Sequence, residues 1–161
     1  MQYQTVFDVI NVGYRYWYIP AAMLGLTVAS IMFLLLIKLV GGKARGILAF
    51  SIYSTLILSP FLSLAMFFST YSDYRELRNA PQEGKTVVVE GNVENFILMP
   101  YEGHHPSSES FTVAGHTFAY SEYEDTAGFN TTSSHGGPIR PGIYVRIYAL
   151  GNKIARLEVA R

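Results

Sequence analysis

The chain has 161 residues, half of them apolar, with twelve basic and twelve acidic side chains and no cysteine. The charge balance leaves no basic footprint for nucleic acid, and the lack of cysteine excludes disulfides, thiolate catalysis and thiolate metal sites together. The neutral sum is unevenly built: residues 1–72 carry Arg15, Lys38, Lys43 and Arg45 against Asp8, whereas residues 73–161 carry eight basic and eleven acidic side chains, a net of −3.

Hydrophobicity divides the chain at the same place. Residues 17–40 and 46–71 are apolar runs, each longer than the roughly 20 residues a helix needs to cross the hydrocarbon core. Lys38 lies near the end of the first run, where a long side chain can snorkel, and no charge falls between Arg45 and Asp73. Two such runs in tandem favour a transmembrane hairpin over a buried helix pair. The start has no basic n-region and the first run is too long for a cleaved signal peptide. Tyr14, Tyr16, Trp17 and Tyr18 cluster at one end of the first span, and Tyr71 and Tyr74 at the end of the second, as interfacial aromatics do. Both clusters therefore fall on one bilayer face. The connection Gly41-Gly42-Lys43-Ala44-Arg45 holds two cations and no acid. Lys and Arg close to the spans tie at three on each side (Lys38, Lys43 and Arg45 against Arg15, Arg75 and Arg78). The compact cationic loop and the weakly charged, aromatic N-terminus favour a cytoplasmic loop, with both termini outside. Pro60 predicts a kink in the second helix. Ala22, Gly25 and Ala29 recur at three- to four-residue spacing and would let helices approach closely, within the hairpin or between subunits.

Residues 73–84 read as a polar connector that extends the second helix towards Pro81. From Lys85 the period becomes two: Val87, Val89 and Val93 share one face and Glu90, Asn92 and Glu94 the other, a half-buried strand interrupted by Gly91 where a barrel strand would bend. Residues 111–113 and 118–120 form a hairpin. A Gly115-His116 turn of type II′ sets Val113 opposite Phe118 and Phe111 opposite Tyr120. The last hairpin joins residues 143–150 to 154–159. A Gly151-Asn152-Lys153 loop pairs Ile147 with Leu157 and Val145 with Val159, and places Arg146 opposite Glu158 on the wet face. One long bent strand and four shorter ones make five, the count of an OB-like Greek-key barrel, with an SH3-like barrel as the nearest alternative. The expected architecture is α+β: residues 1–72 as N-terminal segment and membrane hairpin, 73–84 as connector, 85–161 as the barrel.

Two segments escape the strand pattern, residues 99–110 and 121–142. A loop of some twenty residues in so small a domain is functional or disordered as a rule, and the Asn, Thr, Ser, His and Gly of the second suit an ordered, hydrogen-bonded loop. His104, His105, Glu109, Phe129, Asn130, Ser134, His135, Gly136 and Gly137 are the candidate ligand- or partner-binding residues. His104, His105 and His135 with Glu109 or Asp125 have ligand chemistry, but their spacing matches no metal motif, and no metal or cofactor is assigned. Ser110 with His135 and Asp125 lacks the strand-turn-helix context of an activated nucleophile, so no catalytic residue is assigned. Gly136-Gly137 lacks the Lys-Ser/Thr and helix start of a phosphate loop, and Asn130-Thr131-Thr132 is a bare glycosylation sequon.

The runs Val89-Glu90-Gly91-Asn92-Val93-Glu94-Asn95-Phe96, Glu109-Ser110-Phe111-Thr112-Val113, Phe118-Ala119-Tyr120-Ser121, Gly128-Phe129-Asn130, Ser134-His135-Gly136-Gly137-Pro138-Ile139 and Val145-Arg146-Ile147, with Gly103-His104, resemble a group of uncharacterised bacterial proteins over residues 71–159. The resemblance implies a bacterial origin and brings no activity with it. The layout, a short membrane hairpin followed by an OB-like barrel, is also similar to that of short NfeD-like proteins, which associate with stomatin-type membrane scaffolds. Together these features lead to an expected non-enzymatic binding or adaptor module in the bacterial inner membrane, its C-terminal domain extracytoplasmic. Its partners would be the lipid bilayer and another membrane or envelope protein, with homo-oligomerisation as a further mode and no nucleic acid. The rivals are a metal-dependent sensor or enzyme using the loop histidines, and an NfeD-like scaffold.

Overall fold

The computed structural model describes residues 1–99 and 108–161. The chain forms an α+β structure of two compact units, residues 15–71, and residues 1–14 together with 72–161.

The helical unit contains α2 (Tyr18–Leu39) and most of α3 (Gly46–Asn79). The 22 residues of α2 extend about 33 Å at 1.5 Å per residue. Pro20 stands in its first turn, where the missing N–H costs nothing. Its C-terminus is closed by a Schellman motif: Gly42 N–H bonds Ile37 O at 2.9 Å and Gly41 N–H bonds Lys38 O at 3.1 Å. Gly41 takes the required left-handed conformation at φ +69°. Met23, Thr27, Ser30, Leu34 and Ile37 recur at three- and four-residue spacing as the half-buried stripe of α2. Ile52, Ser59 and Ser63 are buried on α3. Hydroxyls stitch the helices together, with Ser63 Oγ donating to Pro20 O at 2.8 Å and Thr27 Oγ1 lying 2.7 Å from Ser59 Oγ. Ala22, Gly25 and Ala29 lie on the exposed side of α2. Close approach inside the hairpin therefore does not use them; the Ser/Thr bonds occupy that contact instead. Pro60 lies inside α3, which continues through it. Leu24, Leu35, Leu36, Phe50, Phe61 and Phe68 are all exposed. Both helices are long and apolar enough to cross a membrane, and only 6 % and 17 % of their most apolar windows are buried. Burial in a protein core does not account for that composition.

The β unit begins with the chain's first residues. β1 (Tyr3–Asp8) pairs antiparallel with the last strand, so residues 1–14 belong with the β unit rather than with the helices they precede. Phe7 and Val9 enter the core. Asp8 caps the one-turn helix α1 (Val9–Val12) by accepting from Ile10 N–H at 2.9 Å. Six further strands follow among the described residues: β2 (Val87–Asn92), β3 (Glu94–Ile97), β4 (Glu109–Val113), β5 (His116–Tyr120), β6 (Tyr144–Leu150) and β7 (Lys153–Ala160). They form one sheet in the order β1-β7-β6-β2 and a second in the order β3-β4-β5. β2 and β3 are one chain path bent at Val93, whose N–H and C=O bond Ile143 O and Gly142 N–H. The bend falls at Val93–Asn95, where Asn95 has φ +48°, not at Gly91, which stays in register opposite Val145. Where an OB-like five-stranded barrel is expected, the described residues form two sheets and no closed barrel. β1 and β5 end their sheets without pairing to each other, and the N-terminal strand extends the first sheet.

Both hairpins keep their expected faces with altered turns. In β4–β5 the turn is Ala114-Gly115, with φ of +47° and +80°, so Val113 faces His116 and Phe111 faces Phe118. Positive φ at both central residues is the type I′ signature, whose twist matches the strands. A shift of two residues leaves every side chain on its face, and Phe111, Val113, Phe118 and Tyr120 are all buried. In β6–β7 the pairs Ile147–Leu157, Val145–Val159 and Arg146–Glu158 form, but Leu150 pairs with Lys153 across a two-residue turn. A bulge between Tyr148 and Ala149 pairs absorbs the extra residue. The last turns of α3 add Tyr74 and Leu77 to the core.

Candidate functional site

Residues 121–142 form an ordered cap on the β unit. Phe129 and Ile139 are buried in its core, with Phe129 packed edge-on against Phe7 and Tyr120 at centroid distances of 5.7 and 5.2 Å. Phe129 N–H bonds Ile154 O at 2.9 Å, and Ala127 N–H bonds the Asp73 carboxylate, which also pairs with Lys153. Asn130 Nδ2 donates to Glu124 O at 3.1 Å. A 3-10 turn, Ser133–His135, is followed by Gly136 at φ +84°. Gly137 then passes so close to the preceding backbone of the cap that a Cβ would lie 2.2 Å from Thr131 O and 2.7 Å from Thr132 O. Arg140 donates to Gly137 O and Ile139 O at 2.7 and 2.6 Å, closing the segment with a side chain from within it.

Glu109 anchors the cap from beneath. It is fully buried on β4, and its carboxylate accepts from Ser133 N–H at 2.9 and 3.1 Å, from the Ser133 hydroxyl and from the Tyr120 hydroxyl. Burial first, and then the bond to Glu109, push the Tyr120 phenol well above its usual range. With its oxygens engaged, Glu109 acts as a structural acceptor inside the domain rather than as a surface ligand.

At the rim, Glu122 Oε2 lies 2.7 Å from His135 Nδ1 and 3.1 Å from Thr132 Oγ1. Ser134 Oγ is 2.9 Å from Thr132 Oγ1 and 3.2 Å from His135 Nδ1. Thr132 is fully buried, whereas the His135 side chain is 60 % exposed. Serine and carboxylate thus meet the same ring nitrogen. A relay from nucleophile to base needs them on opposite nitrogens, so the cluster orients His135 but does not activate Ser134. Tyr123, 73 % exposed, is the large side chain presented nearby in sequence. A cleft of about 340 Å³ lies beside β5, lined by Tyr120, Glu124, Thr126, Phe129 and Lys153.

The candidate residues therefore separate. Ser134 and His135 share the exposed rim; Glu109, Phe129 and Asn130 are buried supports; Gly136 and Gly137 shape the backbone. His104 and His105 lie outside the described residues. Among the described residues no three His, Asp or Glu side chains converge as a metal ion would require. Glu122, Thr132, Ser133 and Arg140 complete the cluster and carry no motif that would single them out in the sequence.

The outer face of the first sheet has a separate charged ladder. Glu90 accepts from Arg146 Nε at 2.8 Å and from the Tyr3 hydroxyl, and Arg146 lies 4.0 Å from the Tyr3 ring centroid. The Arg146 bond, then the Tyr3 bond, hold the Glu90 carboxyl below its ordinary value. Arg156 bonds Glu158 at 2.5 Å, and Arg146 reaches the same carboxylate at 3.6 Å. These cations are matched within the sheet, leaving little net field for a charged partner. Comparison with protein-family models, curated proteins and solved structures finds no match to this chain.

Proposed function

We propose that the protein is a membrane-anchored, non-enzymatic binding module. Its two helices span a bacterial inner membrane, and the cap of the β unit recognises another membrane or envelope protein. The observation that carries this reading is the outward apolar surface of α2 and α3, of which only 6 % and 17 % of the most apolar windows are buried. In water such a surface would be an aggregation site; lipid satisfies it. The OB-like character of the β unit belongs to this reading and rests on its bent β2–β3 path, as does the kinship with uncharacterised bacterial proteins. In this orientation the 40–45 loop is cytoplasmic and the β unit extracytoplasmic. Anchoring confines the cap to the bilayer surface, where the effective concentration of a membrane-bound partner is high.

Tyr123 and His135 are the contact residues of choice, because both are exposed and His135 is held by Glu122 and Thr132. A rigid aromatic on an ordered loop gives contact area at low entropic cost. Crosslinking in native membranes followed by mass spectrometry tests the reading. Tyr123→Ala with His135→Ala is expected to remove the dominant crosslinked neighbour while the melting temperature stays within a few degrees of the parent. An unchanged set of neighbours would refute recognition by the cap. Phe129 and Asn130 are unsuitable for this test, since their burial makes folding the first casualty.

A metal-sensing role has one observation in its favour: a carboxylate on Nδ1 is how a metal-ligating histidine is commonly oriented, and Glu122 occupies that position on His135. A rise in melting temperature of the full chain with Zn²⁺, abolished by His135→Ala, would favour this role over the adaptor.

A further inference from the structure

The end of α2 carries a second candidate site, away from the cap in sequence and built wholly within the helical unit. A cleft of about 360 Å³ is lined by Leu34, Ile37, Lys38, Lys43, Ala44 and Tyr53. One wall is apolar, from the last turns of α2, and Lys38 and Lys43 supply two ammonium groups. Lys38, Lys43 and Arg45 fall within eight residues, whereas no acidic residue occurs between Asp8 and Asp73. The positive charge is therefore unopposed within the helical unit.

The helix terminus would ordinarily work against an anion, because its last carbonyls are unsatisfied and partially negative. Here the Schellman motif engages them: Leu36 O, Ile37 O and Lys38 O accept from Val40, Gly42 and Gly41 N–H. What remains is a cationic mouth beside an aliphatic wall, at the end of an apolar helix long enough to span.

We propose that this cleft seats the phosphate of an anionic phospholipid, with Lys38 and Lys43 on the phosphate oxygens and the acyl region against Leu34 and Ile37. The inference rests on the membrane-anchored reading. Basic clefts between membrane helices are suited to anionic headgroups, and the aliphatic wall selects a lipid over a free anion, which gains nothing from Leu34 or Ile37. The same lysines thereby acquire a role beyond setting orientation: they fix which lipid the hairpin prefers.

The test is native mass spectrometry of the full chain, extracted in non-ionic detergent and titrated with dioleoyl phosphatidylglycerol, dioleoyl phosphatidylcholine or inorganic phosphate. One phosphatidylglycerol is expected to be retained in preference to phosphatidylcholine. At about fivefold per cation near an anionic headgroup, the double variant Lys38→Gln/Lys43→Gln is expected to weaken that retention roughly 25-fold. Lys38→Arg/Lys43→Arg is expected to keep it, which separates lost charge from lost folding, and Arg78→Gln is expected to leave it unchanged. Equal retention of the two lipids, or indifference to the double Gln variant, would overturn the site. Displacement of phosphatidylglycerol by millimolar inorganic phosphate would overturn the lipid assignment in favour of a free anion. Washing membranes with alkali separates the two levels: a chain that is released refutes the anchor and the site together, whereas one that stays but shows no lipid preference refutes the site alone.

Discussion

Glu109 offers three donors their acceptor, Ser133 N–H, Ser133 Oγ–H and Tyr120 Oη–H, from a position with no solvent exposure. Glu109→Ala strands at least two of those donors inside the domain, and at roughly 1–3 kcal/mol for each unsatisfied buried group the expected loss is about 3 kcal/mol. Glu109→Gln keeps one acceptor oxygen and is expected to lose about half as much in a denaturant titration. Tyr120 makes the same site sensitive to alkali. Its folded-state pKa is raised above the ordinary value of about 10 by burial and by Glu109, so folding favours the neutral phenol. That contribution is complete below pH 10 and is lost as pH rises through and beyond it, because the unfolded chain then ionises first. The parent is accordingly expected to lose more stability between pH 9 and 11 than Tyr120→Phe does; parallel losses would place the alkaline sensitivity elsewhere.

The cap is an element without regular secondary structure over most of its length, and its backbone geometry holds it in place. Gly137→Ala would drive a methyl group to 2.2 Å from Thr131 O and 2.7 Å from Thr132 O, and backbone oxygens cannot step aside as a side chain can. A loss of about 3 kcal/mol is expected, with proteolytic nicking inside 121–142 appearing at temperatures the parent withstands. An unaltered cleavage pattern would show that the cap is not locked at this crossing. The same element marks the boundary of what the sequence reveals. Period-two alternation exposes the faces of β2, β4, β5, β6 and β7, because burial on one side is a local pattern. It does not distinguish registers two residues apart, so the Ala114-Gly115 turn escapes, as does the bulge that shortens the β6–β7 loop to two residues. β1 is short, lies beside the apolar run and pairs with a strand some 150 residues away, a long-range contact with no local signature. In the cap, Ser134 and His135 are legible as a polar cluster, but Phe129 and Asn130 share that stretch while pointing into the domain, and only tertiary contacts reveal it.

For the whole molecule, the decisive property is the mismatch between composition and burial. Leu, Ile, Val and Phe side chains cover the outside of α2 and α3, and the hydroxyls of Thr27, Ser59 and Ser63 bond across the helix contact. That is the pattern of a lipid-facing pair joined by polar contacts. In the proposed anchor, two crossings would return both flanks of the hairpin to one side and leave the 40–45 loop on the other. The chain has no cysteine, so a single introduced thiol reports accessibility without background. The most direct measurement is labelling of Tyr123→Cys and Ala44→Cys with a membrane-impermeant maleimide in bacterial cells whose outer membrane has been permeabilised. Tyr123→Cys is expected to react at once, and Ala44→Cys only after the inner membrane is opened. Reaction of both from the same side, or recovery of the chain in the soluble fraction, would contradict the two-span anchor.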